Sequence, residues 1–206
     1  MTTSELMLAV WKAICMNHRG KMTGMWSLST SPWCNPYCIA RHKKGDSIYA
    51  KCFSIRQTSY MKNLAKKLEK NTKLLTENEI KAFPTIPVNI MRLESFGDLQ
   101  NLTQLKNYFE FTVQNSQTTF ALWTKNAFLF PAAREAGLRK PDNMIIIESA
   151  PLLNTPIEPS DEWIDKVFIV WDEGHDAEIN CGGKKCIECQ NCYRKDGPKV
   201  INERLK

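Results

Sequence analysis

The sequence predicts an α/β fold in which parallel strands form a partial or TIM-like barrel with a cysteine-rich C-terminal loop. Two observations support this fold class. Five short apolar runs of strand-forming residues recur along the chain, and amphipathic helical patterns lie between them. Alternating strands and helices are typical of a parallel sheet. Five strands are too few to close an eight-stranded barrel, so an open or partial barrel, or a small doubly wound sheet, is expected.

The predicted strands are short apolar runs bounded by polar residues. They are Met25–Ser29, Val88–Arg92, Thr119–Thr124, Met144–Glu148 and Val167–Trp171. Several of them are apolar at successive positions rather than at alternate positions. This pattern is typical of strands that are covered on both faces.

The predicted helices carry apolar residues at helical spacing. They are Ser59–Leu75, Leu102–Gln114 and Ala127–Ala136. The first shows the pattern most clearly, because its apolar positions 61, 64, 65 and 68 fall on one helical face. No internal repeat or low-complexity linker interrupts the chain, so residues 1–206 are expected to form one domain.

The composition excludes several classes of protein. No apolar run approaches the roughly 18 residues of a membrane span, and the N-terminus lacks the basic region of a signal peptide. We therefore expect a cytoplasmic protein with no membrane partner. Much of the net charge of +6 comes from residues 61–73 and from the C-terminal tail. These cations are interpreted as a solvated helix face, so nucleic acid is not expected as a partner.

The carboxyl ends of the predicted strands point to polar and cysteine-containing segments. The first strand is followed by a loop over residues 31–53, the second by Glu94 and Asp98, and the fifth by a loop over residues 181–193. Chemistry in parallel α/β folds lies beyond these strand ends. If the sheet closes even in part, its first and last strands bring both cysteine loops to one rim.

The second loop has the spacing C-x4-C-x2-C-x2-C, over Cys181, Cys186, Cys189 and Cys192. Clustered cysteines in a reducing cytoplasm bind metal or do redox chemistry more often than they form disulfides. A C-x2-C-x2-C triplet with a fourth cysteine from elsewhere is how bacterial ferredoxins hold a cubane cluster. A structural zinc ion is the alternative, but zinc ligands usually come in two separated pairs. The spacing favours an iron–sulfur cluster of the [4Fe–4S] type.

The fourth ligand is left open by the sequence. Cys181 is one candidate, and the others are in the first loop at Cys34, Cys38 and Cys52. Each loop holding its own centre is a further alternative. Cys15 lies in an apolar, helix-like stretch and is interpreted as a buried apolar residue.

Three segments together resemble a phage family called gene product eighty-eight. They are "MTGMWSLSTSPWCNPYCIARH", "RLESFGDLQN" and "CGGKKCIECQNCY", between about residues 21 and 193. The resemblance implies a viral or prophage origin, an iron–sulfur protein in the cytoplasm of the infected host, and an unidentified redox partner there.

The first loop also resembles that of radical S-adenosylmethionine enzymes, which are partial barrels with a cubane cluster on a C-x3-C-x2-C loop. Cys34 and Cys38 match the first two positions, Arg41 stands at the third, and Cys52 would replace the missing ligand. The segment from Glu94 to Asp98 occupies the place where these enzymes bind the amino group of S-adenosylmethionine. The resemblance makes such an enzyme the second hypothesis, with Glu94 and Asp98 as cofactor-binding residues, and a zinc-stabilised interaction protein is the third.

Overall fold

The computed structural model describes residues 2–44 and 48–205 as an α/β fold built on one open sheet. In these residues the sheet has seven strands: β1 (Cys15–Met16), β2 (Trp26–Leu28), β3 (Ile90–Leu93), β4 (Thr119–Thr124), β5 (Met144–Ser149), β6 (Lys166–Trp171) and β7 (Val200–Arg204). They follow one another across the sheet in chain order. The pair β1–β2 is antiparallel and every other neighbouring pair is parallel.

The five predicted strands are confirmed as β2 to β6, and two edge strands were missed. β1 has only two residues, and its Cys15 is half-buried in a strand rather than buried in a helix. β7 follows the cysteine-rich residues 181–193. The expectation that these residues come after the last strand is therefore wrong, because they belong to the connection between β6 and β7.

The helices of the described residues are α1 (Thr3–Ala13), α2 (Pro36–Lys44), α3 (Phe53–Tyr60), α4 (Lys62–Glu77), α5 (Leu102–Gln114), α6 (Leu129–Glu135) and α7 (Cys186–Cys189). The three predicted helices correspond to α4, α5 and α6. No helix in this part of the chain is long and apolar enough to cross a membrane.

The segment 31–53 is partly helical, whereas the sequence predicted a loop. Asn35 explains the start of α2, because its side-chain oxygen accepts hydrogen bonds from the amides of Tyr37 at 3.0 Å and Cys38 at 3.4 Å. Helix α3 begins after Cys52. The part of this predicted loop at residues 45–47 lies outside the described residues.

The sheet is covered on both faces, as the continuous apolar runs predicted. Met91, Leu93 and Phe120 belong to the large cluster that includes residues of α1, α4, α5 and α6. The residues between them along the strands, such as Ala121 and Trp123, belong to a second cluster on the opposite face. Helices α1, α4, α5 and α6 therefore cover one face, called here the helical face, and the opposite face has a different cover.

The carboxyl ends of β2 and β3 are joined to α5 by the buried carboxylate of Glu94. It accepts hydrogen bonds from the backbone amide and the hydroxyl of Thr30, at 3.1 and 3.0 Å, from the amide of Gln104 at 2.7 Å and from the hydroxyl of Tyr108. Glu94 has a φ of 56°, a left-handed conformation that is uncommon for a residue with a side chain. These bonds hold the carboxylate in a position that its backbone conformation alone would disfavour.

Gly97 lies against this carboxylate. A Cβ atom at position 97 would lie 2.3 Å from the hydroxyl of Thr30, 2.7 Å from its carbonyl oxygen and 2.8 Å from Oε2 of Glu94. We expect Gly97→Ala to lower the free energy of unfolding by about 3 kcal/mol, because the crowded atoms include backbone. Urea denaturation measures this, with Gly182→Ala as the control, since a Cβ at position 182 meets no atom within 4 Å. Equal stability of the two variants would contradict the expected crowding.

Burial raises the pKa of Glu94 to about 7, although the bonds from Tyr108 and Thr30 oppose this shift. The folded chain therefore keeps a proton on Glu94 between about pH 4.5 and 7, where the unfolded chain has released it. Unfolding releases that proton, so the free energy of unfolding falls as the pH rises through this window, by about 3 kcal/mol in total. Urea denaturation across this range should show a steeper fall for the native chain than for Glu94→Gln, which has no such proton. Parallel pH profiles for the two proteins would count against this account.

Candidate metal centre

Residues 181–193, called here the cysteine segment, lie on the sheet face opposite the helical face. Tyr193 is buried there with Met25 and Trp123, and its ring centroid lies 6.2 Å from that of Trp123. The partly buried Cys186 and Cys192 pack against the same cluster. The cysteine segment is therefore part of the cover of the sheet.

The local structure of the cysteine segment follows from short-range bonds. Helix α7 is a single turn that places Cys186 and Cys189 three residues apart on one side. It ends at Gln190, which has left-handed backbone angles and whose carbonyl oxygen accepts a 2.8 Å bond from the amide of Tyr193. Cys181 is attached to β7 instead, because its amide donates to the carbonyl oxygen of Asn202 at 2.9 Å. The segment is thus fixed at both ends.

Two cations from elsewhere in the chain lie beside this segment. The ammonium group of Lys21 is 3.4 Å from Sγ of Cys181 and 2.6 Å from Oε1 of Glu203. The guanidinium group of Arg92 lies 3.9 Å from the ring centroid of Trp123. The Nε atom of Arg92 is buried and has no hydrogen-bond partner among the described residues. A buried cation with an unused donor favours a neighbouring anion.

The four thiols of the segment influence one another. Burial raises the pKa of Cys192 to about 12, the two cations lower it, and the charges of Cys181 and Cys186 raise it. Burial also raises the pKa of Cys186, again with a lowering by both cations and a raising by Cys181 and Cys189. All four sulfur atoms therefore lie in one electrostatic neighbourhood, and each thiolate formed there makes the next one harder to form.

The donor set fits a metal centre in its chemistry. All eight cysteines are free thiols, four of them belong to the cysteine segment, and two cations are in place to offset thiolate charge. In residues 2–44 and 48–205, however, no three cysteine, histidine or acidic side chains are arranged to hold a metal ion as they stand. A Cβ atom at Gly182 or Gly183 would meet no other atom within 4 Å, so neither glycine is packed against the rest of the chain.

The cysteines after β2 form a separate group. Cys34 ends a short 3₁₀ turn, Pro32–Cys34, and Cys38 is buried in α2. Burial raises the pKa of Cys38, and its strongest charged neighbours are Asp98, Lys125 and Cys52. The charged neighbours of Cys192 are instead Lys21, Arg92 and two cysteines of its own segment, Cys181 and Cys186. The two groups have different surroundings, which favours separate sites over a single shared one.

Glu94 and Asp98, the predicted cofactor-binding residues, lie buried at the carboxyl end of β3. The carboxylate of Asp98 accepts hydrogen bonds from the hydroxyl of Thr124 at 2.6 Å and from the amides of Leu99 and Lys125 at 2.8 and 3.0 Å. The donors to Glu94 also come from the chain itself. Their observed contacts are structural, and their role in cofactor binding stays a prediction.

Several residues of these sites were not identified from the sequence. Lys21 and Arg92 are distant in the sequence from the cysteines, although a charge at the end of an apolar strand run was a signal for Arg92.

Lys166, at the start of β6, was also not identified from the sequence. It is fully buried, and its ammonium group donates to the carbonyl oxygen of Pro198 at 3.0 Å. This bond attaches the end of the β6–β7 connection to the sheet.

A cleft beside the first cysteine group was also not predicted. It has a volume of about 900 Å³ and lies between the segment of α2 and α3 and the turn after β6. Its lining includes Trp33 and Cys52 on one side and Asp172 on the other. His42, which also lines this cleft, contacts the carbonyl oxygen of Tyr49 through Nδ1 at 2.9 Å.

Comparison of the chain with family models, with curated proteins and with solved structures finds no match. The resemblances to the phage family and to the radical S-adenosylmethionine enzymes therefore stay predictions.

Proposed function

We propose that the chain is a viral or prophage iron–sulfur protein whose cysteine segment holds a [4Fe–4S] cluster and that has a redox or electron-transfer role in the host cytoplasm. One observation carries the proposal: four thiols at cluster spacing share an electrostatic neighbourhood with two cations. Such a cluster, when bound, supplies reversible electron transfer. Its partner would be an unidentified redox protein of the host.

The chain's own residues would have distinct roles. Cys186, Cys189 and Cys192 would supply three thiolates, with Cys181 as the fourth, since it lies in the same segment. The two cations, Lys21 and Arg92, would offset the negative charge of the thiolate ligands. The rings of Trp123 and Tyr193 would exclude water from one side, which is a means of tuning reduction potential.

The finer features of the fold belong to the same proposal. The strands follow one another in chain order, and the helices cover one face of the open sheet. We propose that this sheet is a partial barrel and that the cysteine segment, on the face opposite the helical face, is its functional loop. Sequential order of parallel strands is the arrangement found in TIM barrels.

A radical S-adenosylmethionine enzyme is the second candidate. It is favoured by Cys38, whose charged neighbours are Cys52 and, at the carboxyl ends of the strands, Asp98 and Lys125. Cleavage of S-adenosylmethionine by the reduced protein, lost in Cys38→Ala, would favour this candidate over electron transfer. Absence of cleavage in a protein that holds a cluster would favour electron transfer.

The main test is purification under anaerobic conditions with iron and sulfide analysis. We expect a brown protein whose broad absorption fades on reduction, with an electron paramagnetic resonance signal in the reduced state. Cys189→Ala should lose most of the iron and of the absorption, because it removes a central thiolate. Cys15→Ala is the matched control and should keep both, since Cys15 lies in β1 and contacts the carbonyl oxygen of Ala13.

Two results would contradict this assignment. A colourless protein with stoichiometric zinc would make the chain a zinc-stabilised interaction protein. An unchanged cluster spectrum in Cys189→Ala would remove Cys189 from the ligand set and contradict the central assignment. If Cys189→Ala does lose the cluster, single alanine variants of Cys34, Cys38, Cys52 and Cys181 identify the fourth ligand.

The position of Lys21 beside Cys181 gives a second prediction. Replacing Lys21 by Gln removes a positive charge that favours the more negative, reduced state of the centre. The midpoint potential should therefore become more negative, by on the order of tens of millivolts. Lys184→Gln is the matched control, because Lys184 is exposed in the same segment and its charge is screened by water. A redox titration followed by absorption measures both, and equal shifts would contradict a special role for Lys21.

A further inference from the structure

The positive charge of the chain is concentrated in residues 36–73, called here the basic segment. This segment contains ten Lys or Arg and two Asp or Glu, a net charge of +8, whereas the whole chain has +6. The rest of the chain is therefore slightly acidic. The structure folds the basic segment into α2, α3 and most of α4, so the surplus lies on one contiguous part of the molecule.

A groove runs along this segment. Two clefts, of about 900 and 570 Å³, both include Trp33 and Ser59 in their lining. Lys51 and Arg56 line the first, and the second is lined by two lysines of α4, Lys62 and Lys66. The clefts meet at Trp33, and they are called here the groove.

The cations of the groove have no carboxylate partner among the described residues, although the ammonium group of Lys62 donates to the carbonyl oxygen of Ser59 at 2.5 Å. Within residues 2–44 and 48–205, none of Lys51, Arg56, Lys62 and Lys66 takes part in a salt bridge. The groove also contains carboxylates: Glu69 in the second cleft, and Asp172 and Glu173 in the turn after β6. The Asp172 carboxylate is already bonded to Asn154 and His175. An anionic ligand would therefore follow the side formed by the basic segment.

Trp33 supplies an aromatic surface in the middle of the groove. Its indole nitrogen donates to the hydroxyl of Thr58 at 2.8 Å, which fixes the ring, yet 40% of the residue is exposed. An exposed aromatic ring among cations that have no carboxylate partner is the combination that binds single strands, because bases stack on the ring while phosphates meet the cations.

We propose that this groove binds single-stranded nucleic acid. The sequence alone suggested a solvated helix face, since lysines on a helix need no partner. The fixed Trp33 ring between two cation-lined clefts favours a ligand with alternating flat apolar groups and negative charges. An acidic protein surface would satisfy the cations but would make no use of the ring. A duplex would hide its bases from the ring. The inference does not depend on the iron–sulfur proposal.

The test is fluorescence anisotropy of labelled oligonucleotides of about 12 nucleotides with the full-length protein at about 50 mM salt. Single-stranded DNA or RNA should bind more tightly than a duplex of equal length, and binding should weaken steeply as salt rises. Trp33→Ala should weaken binding at least about fivefold through lost stacking. Arg56→Glu should weaken it by a similar factor and reduce the salt dependence.

Matched controls lie outside the groove. Trp11→Ala removes another exposed tryptophan, which packs against Trp26 on a different part of the surface, and Arg139→Glu reverses another exposed cation. Both should leave binding unchanged. Trp33→Phe keeps a ring and should keep most of the affinity, which separates loss of stacking from loss of folding.

Four outcomes would overturn the proposal. Three are no binding at low salt, equal loss in the groove variants and their controls, and binding that Trp33→Ala does not weaken. The fourth is competition by an acidic polymer. If poly-glutamate competes as well as a single strand of equal charge, the groove is a docking site for an acidic protein and the proposal is wrong.

Discussion

The buried carboxylate of Glu94 is the constraint on which the carboxyl-terminal edge of the sheet depends. Its donors come from Thr30, just after β2, and from Gln104 and Tyr108 of α5. A buried carboxylate costs several kcal/mol unless it is fully hydrogen-bonded, so these groups cannot move independently. The chain that leaves β2 toward Trp33 therefore starts from a fixed point. The groove and the first cysteine group are both positioned from it.

A sheet with two apolar faces needs two covers, and this chain builds them differently. Helices α1, α4, α5 and α6 provide one cover. Met25 and parts of the cysteine segment, including Tyr193, provide the other. A segment with four cysteines within twelve residues has few apolar side chains to bury. Its stability on the sheet therefore depends on a small number of contacts, and binding a metal would add to them. Metal binding and the closure of this face are expected to be coupled for that reason.

The sequence showed the central strands because burial on both faces leaves a continuous apolar run, as in Met144–Ser149 and Lys166–Trp171. It did not show β7, an edge strand whose Asn202 and Glu203 are polar because they bond to Trp171 and Lys21. The candidate site likewise has one part that the sequence shows and one part that it does not. Thiol spacing is local and can be read from the chain, whereas the cations beside the thiols come from distant positions. Only the folded sheet brings them together.

The state of Arg92 argues that the face of the sheet under the cysteine segment favours negative charge. A guanidinium group has five N–H donors, and here one ring, Trp123, and the sulfur of Met22 occupy part of its surface. Its Nε remains buried without a partner among the described residues. The charge of Arg92 also acts on the thiols of Cys186 and Cys192, where it opposes the rise in pKa that burial causes. The unpaired Nε donor of Arg92 and the buried thiols each oppose folding on their own. They compensate each other when the thiols are ionised. That compensation is what a cluster of thiolate ligands provides.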